Sequence, residues 1–188
     1  MALLGRLIGS LGERAPLERS TSEMAALLTA ACVSWSAGRP LLSRPRGYTR
    51  SCAYKDARFE VLLLNWDAGA ASEIHDHGGQ HCWMLVLDGQ LQIDDYVRLD
   101  NGKIPGVARV EACGSQTLAA GGLDLRSGRF DLHRVSAANG VPAVSLHVYA
   151  APLRRFMVYN ELEQRCRSAT GRYDDVLWES ARSPVSLS

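Results

Sequence analysis

Two histidines one residue apart, His75 and His77, are the pair in this chain best placed to hold a metal ion. On an extended strand, side chains two positions apart leave from the same face. Two imidazoles side by side begin a ligand set for a first-row transition metal. Two are too few to hold one, and spacing leaves His81, His133 and His147 all open as the completing ligand. His133 follows the approach Gly128-Arg-Phe-Asp-Leu, with Asn139 shortly after it. Any of these taken singly is as readily a surface or core histidine. Cys82 taken singly is a small buried hydrophobe, and Cys32, Cys52, Cys113 and Cys166 read the same way.

Ser145, His147 and Tyr149 alternate with Val144, Leu146 and Val148, so the three polar residues share one strand face. In the body of a small barrel that face points inward, where it must be hydrogen-bonded to be tolerated. Such a row can hold or relay a proton. On a surface strand it would be an ordinary solvated row. Tyr48 and Arg50 also share a face. A buried arginine is costly unless an anion meets it, and its planar fork grips a carboxylate with two hydrogen bonds. The alternative is a simple exposed arginine. Trp66 and Trp83 read as core residues.

Groups so far apart in sequence need a scaffold that returns distant strands to one place. Residues 1–37 have a helical pattern, and Ser20-Thr-Ser-Glu23 is a capping box opening a helix through Met24 to Cys32. Gly38, Pro40 and Pro45 close that region. From 47 onward short apolar or alternating runs are broken by Gly, Asp and Asn. Strands are expected near 47–54, 58–66, 73–76, 82–88, 90–97, 107–112, 116–119, 129–135, 142–150 and 154–160. This spacing predicts a sandwich or barrel. Asp88-Gly89, between the runs Cys82–Leu87 and Gln90–Ile93, predicts a type I′ hairpin. One further hairpin strand is expected near 172–178, then a tail. The organisation is a single domain over 1–188, with a helical cap at 1–46, a β-barrel at 47–160, and a C-terminal hairpin and tail at 161–188.

With 188 residues the chain is long enough to bury one core. A net charge of +1 without a basic cluster argues against nucleic acid as a partner. No apolar run reaches membrane-spanning length, and Arg6 and Gly9 interrupt the mildly amphipathic start. Five cysteines with no C-x-x-C spacing suit a reducing compartment. A cytoplasmic monomer is the expectation, with no membrane partner.

The spacing Gly69-(five residues)-His75-x-His77-(four residues)-Cys82-(six residues)-Gly89 resembles the metal motif of cupins. Most cupins carry a glutamate ligand where this chain has Cys82. The ordered set Tyr48-Thr-Arg50, Trp66, Ile74-His75-Asp76-His77, His81-Cys82, Leu132-His133-Arg134-Val135 and Pro142-Ala-Val-Ser145-Leu-His147-Val-Tyr149 narrows the resemblance to the thiol dioxygenases, the cysteine dioxygenases in particular. The match runs from Tyr48 to about Pro152.

The resemblance implies a mainly β, jelly-roll-like cupin barrel with N-terminal helices packed on it. It implies Fe(2+) held by His75, His77 and His133, with Arg50 on the substrate carboxylate and Tyr48 nearby. Tyr149, His147, Ser145 and Cys82 are the implied catalytic residues, Ser145 and His147 bonding towards Tyr149. A Cys82–Tyr149 thioether is a further implied cofactor. The implied activity is oxidation of L-cysteine by O2 to cysteine sulfinate, a step of cysteine catabolism.

The residue chemistry agrees with this. Three neutral imidazoles leave the full charge on iron, which favours an anionic thiolate. Cys82 in place of a glutamate is then part of the charge balance. The closest alternative substrate is another small thiol acid such as 3-mercaptopropionate. Members with that preference tend to carry Gln where Arg50 stands. A non-catalytic, metal-bound, ligand-binding cupin would leave Cys82 and the Ser-His-Tyr row unexplained, and a metal-free barrel would leave the histidines unexplained too. One departure concerns Tyr149-Ala150-Ala151-Pro152, where animal members have consecutive prolines and an associated cis peptide. A cis bond before Ala151 would be costly, so trans is expected.

Overall fold

The computed structural model describes residues 2–35, 47–128 and 131–177. Two helices come first, α1 (Ala2–Glu13) and α2 (Thr21–Trp35). Each offers an apolar stripe at three- and four-residue spacing. Leu4, Leu7, Ile8 and Leu11 form one stripe, and Met24, Leu28, Ala31 and Trp35 the other. The expected capping box is present: Ser20 Oγ accepts from the Glu23 N–H (3.2 Å), and Glu23 Oε2 accepts from the Ser20 N–H (2.7 Å).

Twelve strands follow among the described residues. They are β1 (Tyr48–Lys55), β2 (Glu60–Trp66), β3 (Ile74–His75), β4 (Cys82–Asp88), β5 (Gln90–Arg98) and β6 (Val110–Ala119). Then come β7 (Leu123–Arg126), β8 (Leu132–Ala137), β9 (Ala143–Tyr149), β10 (Arg155–Asn160), β11 (Arg165–Thr170) and β12 (Asp175–Val176). They form two sheets of order β12-β1-β2-β9-β4-β7 and β11-β10-β3-β8-β5-β6. The architecture is mainly β and jelly-roll-like, as the sequence led one to expect.

The near-continuous apolar runs of β2, β4 and β9 have a plain cause: both of their faces are covered. Val61, Leu63, Leu85, Leu87, Leu146 and Val148 pack outward against the helices. The alternate residues Leu62, Leu64, Cys82, Met84, Val86 and Tyr149 point into the space between the sheets. The helical cap therefore fixes which face of β9 turns inward, and with it the Ser145-His147-Tyr149 row.

Asp88-Gly89 does not make the expected type I′ hairpin. β4 pairs with β7 and β9, while β5 pairs with β6 and β8. The dipeptide instead carries the chain from one sheet to the other. Gly89 has φ +72°, but among the described residues only Asn139 and Gln164 are non-glycine positions with positive φ, so Asp88 is not left-handed. The glycine is needed for space as well, since a Cβ there would stand 2.4 Å from the Pro142 carbonyl oxygen.

Other boundaries shift for similar non-local reasons. The strands expected at 107–112 and 116–119 are one strand, β6, and the one expected at 129–135 is β8. The short β7 was not expected. The C-terminal hairpin partner is β11, paired with β10. The segment near 172–178 instead contributes β12, parallel to β1 and held by Asp174 N–H to Arg50 O (2.8 Å) and Leu177 N–H to Cys52 O (2.7 Å). Gly38, Pro40, Pro45 and the end of the tail lie outside the described residues. The described peptide bonds are all trans, that before Ala151 included. Among the described residues no helix is long and apolar enough to cross a membrane.

Candidate metal centre

Strand register brings the histidines together. His75 at the end of β3 lies directly opposite His133 on β8. His77 follows two residues later, where the chain leaves the strand. Ring centroids are 4.7 Å apart for His75–His133, 4.9 Å for His77–His133 and 5.3 Å for His75–His77. One ring nitrogen from each lies within 4.8 Å of the others. His77 and His133 are buried and His75 is half-buried.

Burial lowers the pKa of all three, most strongly for His77 and His133, which the neighbouring imidazoles also disfavour charging. Neutral rings have lone pairs to give. His75 Nδ1 stands 2.8 Å from the Glu73 carbonyl oxygen, to which it donates, so Nε2 carries that lone pair. His77 Nδ1 and His133 Nδ1 are buried without a hydrogen-bond partner. A tight group of neutral imidazoles, each with a lone pair to give, fits a divalent transition metal. Spacing left three candidates for the third member. His133 joins the group, His81 is exposed and stacked on Trp83 (5.6 Å), and His147, on β9, stands outside it.

Ser145, His147 and Tyr149 all point inward and are buried, so the solvated-row alternative fails. Trp66 Nε1–H donates to Ser145 Oγ (2.9 Å), and Ser145 Oγ lies 2.9 Å from His147 Nε2. An indole N–H can only donate. The serine hydroxyl therefore links Trp66 to His147 Nε2, and the other ring nitrogen of His147 is Nδ1. That nitrogen faces Cys82 Sγ at 3.9 Å. Trp66 is thus more than a core residue, and it also stacks on Tyr48 with centroids 4.9 Å apart. Cys82 and Tyr149 are directly opposite across β4 and β9. Burial pushes both up, and each side chain further shifts the other's ionisation.

Arg50 lies on β1 and is half-buried. Its Nε and Nη2 are buried without hydrogen-bond partners. With Tyr48 and Phe156 it lines an open cleft of about 650 Å³, at whose rim Arg167 grips both oxygens of Glu73 (2.8 Å each). Phe156 connects this cleft to the histidines, its ring 6.0 Å from that of His75.

A family model for cysteine dioxygenase type I matches residues 32–162. The chain belongs to the cysteine dioxygenase type I family. Curated relatives include Cysteine dioxygenase type 1 of Danio rerio, 31% identical over 75% of this chain and 69% of that protein. Cysteine dioxygenase type 1 of Rattus norvegicus is 31% identical over 56% of this chain and 52% of its own length, so the match spans about half of that relative. Among solved structures, the Schizosaccharomyces pombe Cnp3 cupin domain is 10% identical with a TM-score of 0.47, over 61% of this chain and 72% of that one.

Two buried carboxylates in this cysteine dioxygenase family member were not legible in the sequence. Asp76, between the two histidines, turns away from them. It accepts from the N–H groups of Gly78 and Met157 (2.9 Å each) and from Tyr159 Oη (3.0 Å), pinning the His77 segment to β10. Glu60, opposite Tyr149, is fully buried and accepts from the Leu153 N–H (3.1 Å) and from Tyr173 Oη (2.6 Å). It ties the segment after Tyr149 to the C-terminal segment. The only local hint was the polar residue at the head of the otherwise apolar Glu60-Val-Leu-Leu-Leu run.

The buried histidines set a pH dependence. Burial, then the Arg50 charge, lowers His147 to about 3. An unfolded histidine titrates near about 6.5. Below that pH the unfolded chain takes up a proton that the folded chain does not. Stability is therefore complete above about pH 6.5 and falls with acid, by up to about 1.4 kcal/mol per pH unit for this one group. His77 and His133 act in the same direction. In metal-free protein the urea midpoint should fall steadily from about pH 6.5 to about pH 4, and His147→Gln should flatten that slope. An unaltered slope would mean that His147 is charged in the folded protein.

Proposed function

We propose that the chain is an iron(II)-dependent dioxygenase that oxidises L-cysteine with O2 to cysteine sulfinate. The observation that carries this reading is Arg50, whose buried donors lack an acceptor and which lines the cleft whose Phe156 ring stands 6.0 Å from that of His75. A small thiol with a carboxylate satisfies both ends: sulfur towards the histidines, carboxylate on the guanidinium. Iron(II) held by His75, His77 and His133 would supply a Lewis acid for the thiol and a redox partner for dioxygen.

The protein's own groups do the rest. Arg50 binds and orients the carboxylate, while Tyr48, stacked on Trp66, walls the same cleft. Tyr149 stays protonated, because burial first and the nearby thiol next hold its phenol well above the ordinary range. It can therefore donate a hydrogen bond. Ser145 and His147 fix the direction of the row and shield the thiol side from water. The five cysteines, without any C-x-x-C spacing, support a reducing, cytoplasmic setting. A monomer acting on a small thiol and O2 is the simplest form consistent with this reading.

Oxygen uptake by iron-loaded protein, compared between L-cysteine and 3-mercaptopropionate, tests the substrate. A kcat/KM higher for L-cysteine is expected, and the reverse order would move the assignment to the thiol acid without an amine.

In this reading Cys82 and Tyr149, opposite each other across β4 and β9, would also form a thioether. The bond replaces the S–H and one ring C–H, with two hydrogens and two electrons passing to dioxygen. After many turnovers a denatured, reduced sample should show a second, faster band on a gel. Mass mapping should find a Cys82–Tyr149 peptide lighter by two hydrogens. Cys82→Ser should give one band and keep part of the activity. A single unlinked species after prolonged turnover would remove the thioether and leave the three-histidine assignment standing.

A further inference from the structure

A buried charge cluster stands beside His133. Arg126 and Asp124 are 8% and 5% exposed. Arg126 Nε donates to Asp124 Oδ2 (2.7 Å) and Nη2 to Asp124 Oδ1 (2.8 Å), a two-pronged grip. Its Nη1 donates to Asp95 Oδ1 (2.6 Å) and Asp131 Oδ1 (2.9 Å). Every guanidinium nitrogen is engaged, and the group joins β7, β5 and the lead-in to β8. Strand pairing sets it against the site: Asp95 lies opposite His133, and Arg126 opposite Cys82. Burying such charges is a poor way to gain stability, because apolar residues of the same volume serve as well or better.

The cluster has one member aimed at a candidate ligand. Asp124 Oδ2, already fixed by Arg126, stands 3.5 Å from the otherwise unpartnered His133 Nδ1, longer than a formed hydrogen bond. A histidine that ligates a metal does so as the neutral imidazole. A carboxylate can only accept, so the proton of the neutral ring belongs on Nδ1 and the lone pair on Nε2. Metal-bound histidines commonly donate their other N–H to such a carboxylate, which holds the ring and raises its basicity.

We propose that Asp124 is a positioning residue for the metal centre: it accepts from His133 Nδ1, sets that ring's tautomer, and is itself held by Arg126. The proposal rests on the reading of His75, His77 and His133 as a metal site. It places a carboxylate behind the ligands rather than among them, so it strengthens the site without occupying a position at the metal.

The test is anaerobic titration of metal-free protein with iron(II) against a chelator, for wild type, Asp124→Asn and Asp95→Asn. Asp124→Asn should weaken iron binding by about 10–100-fold. Asp95→Asn loses an Arg126 contact but none to His133, and should stay within about threefold of wild type, well inside the span that loss of an outer partner produces. Equal affinity of wild type and Asp124→Asn would overturn the proposal, as would equal losses in the two variants, which would mark the cluster as structural. No iron binding by the wild type would sink the metal reading itself. If Asp124→Asn does not fold, ¹⁵N-histidine spectra of the zinc-loaded wild type decide the matter. A proton on His133 Nδ1 is expected, and a proton on Nε2 overturns the proposal.

Discussion

Replacing His133 by alanine should strip the protein of iron and lower turnover of L-cysteine by about 10³-fold or more, roughly 4 kcal/mol of lost barrier lowering. Two imidazoles are a weak site for iron(II), which stands low in the affinity order of divalent metals. Removing His133 also leaves His75 without its partner across the β3–β8 pair. The measurements are iron content after anaerobic loading and steady-state oxygen uptake. His81→Ala is the matched control, because that ring is exposed and stacked on Trp83. It should keep both iron and activity. A His133→Ala protein with full iron and full rate would show that the three-histidine group is not the reactive centre.

Arg50→Gln should separate two substrates that differ by one carboxylate. Activity on L-cysteine should fall by at least about 10²-fold, because removing one partner of a buried charge pair typically costs about 3–5 kcal/mol. Cysteamine has the same thiol and amine but no carboxylate, so its poorer turnover should change by less than about threefold, under about 1 kcal/mol. The split should be strongest in kcat/KM, since the carboxylate contact is made on binding and kept through the reaction. Equal losses on both thiols would show that Arg50 holds the fold. Its backbone is indeed part of the structure, donating to Asp174 Oδ2 (2.8 Å) and accepting from the Asp174 N–H (2.8 Å). The glutamine variant retains that backbone pairing.

Period-two patterns carried much of the site. His75 and His77 were legible because alternation fixes which side chains share a face. The inward Ser145-His147-Tyr149 row was legible only as a row; its direction depended on the helices covering the opposite face of β9. The third histidine was not legible from spacing, since it arrives by the pairing of β3 with β8 across more than fifty residues. The Asp88-Gly89 signal misled for the same reason. A local turn preference says nothing of which strands later compete for β4, and β7 and β9 take both of its edges. Asp124 and Arg126 alternate with Leu123 and Leu125, and nothing local says which face is covered. Only the closure of β7 against β4 turns them inward, where each becomes the other's partner.

The most direct test of the central claim is turnover under ¹⁸O₂. Iron-loaded protein given L-cysteine in ordinary water should yield cysteine sulfinate carrying two heavy oxygens, with one molecule of dioxygen consumed per product. Sulfinate with one heavy oxygen and one from water, or oxidation to cystine alone, would contradict a dioxygenase built on His75, His77 and His133.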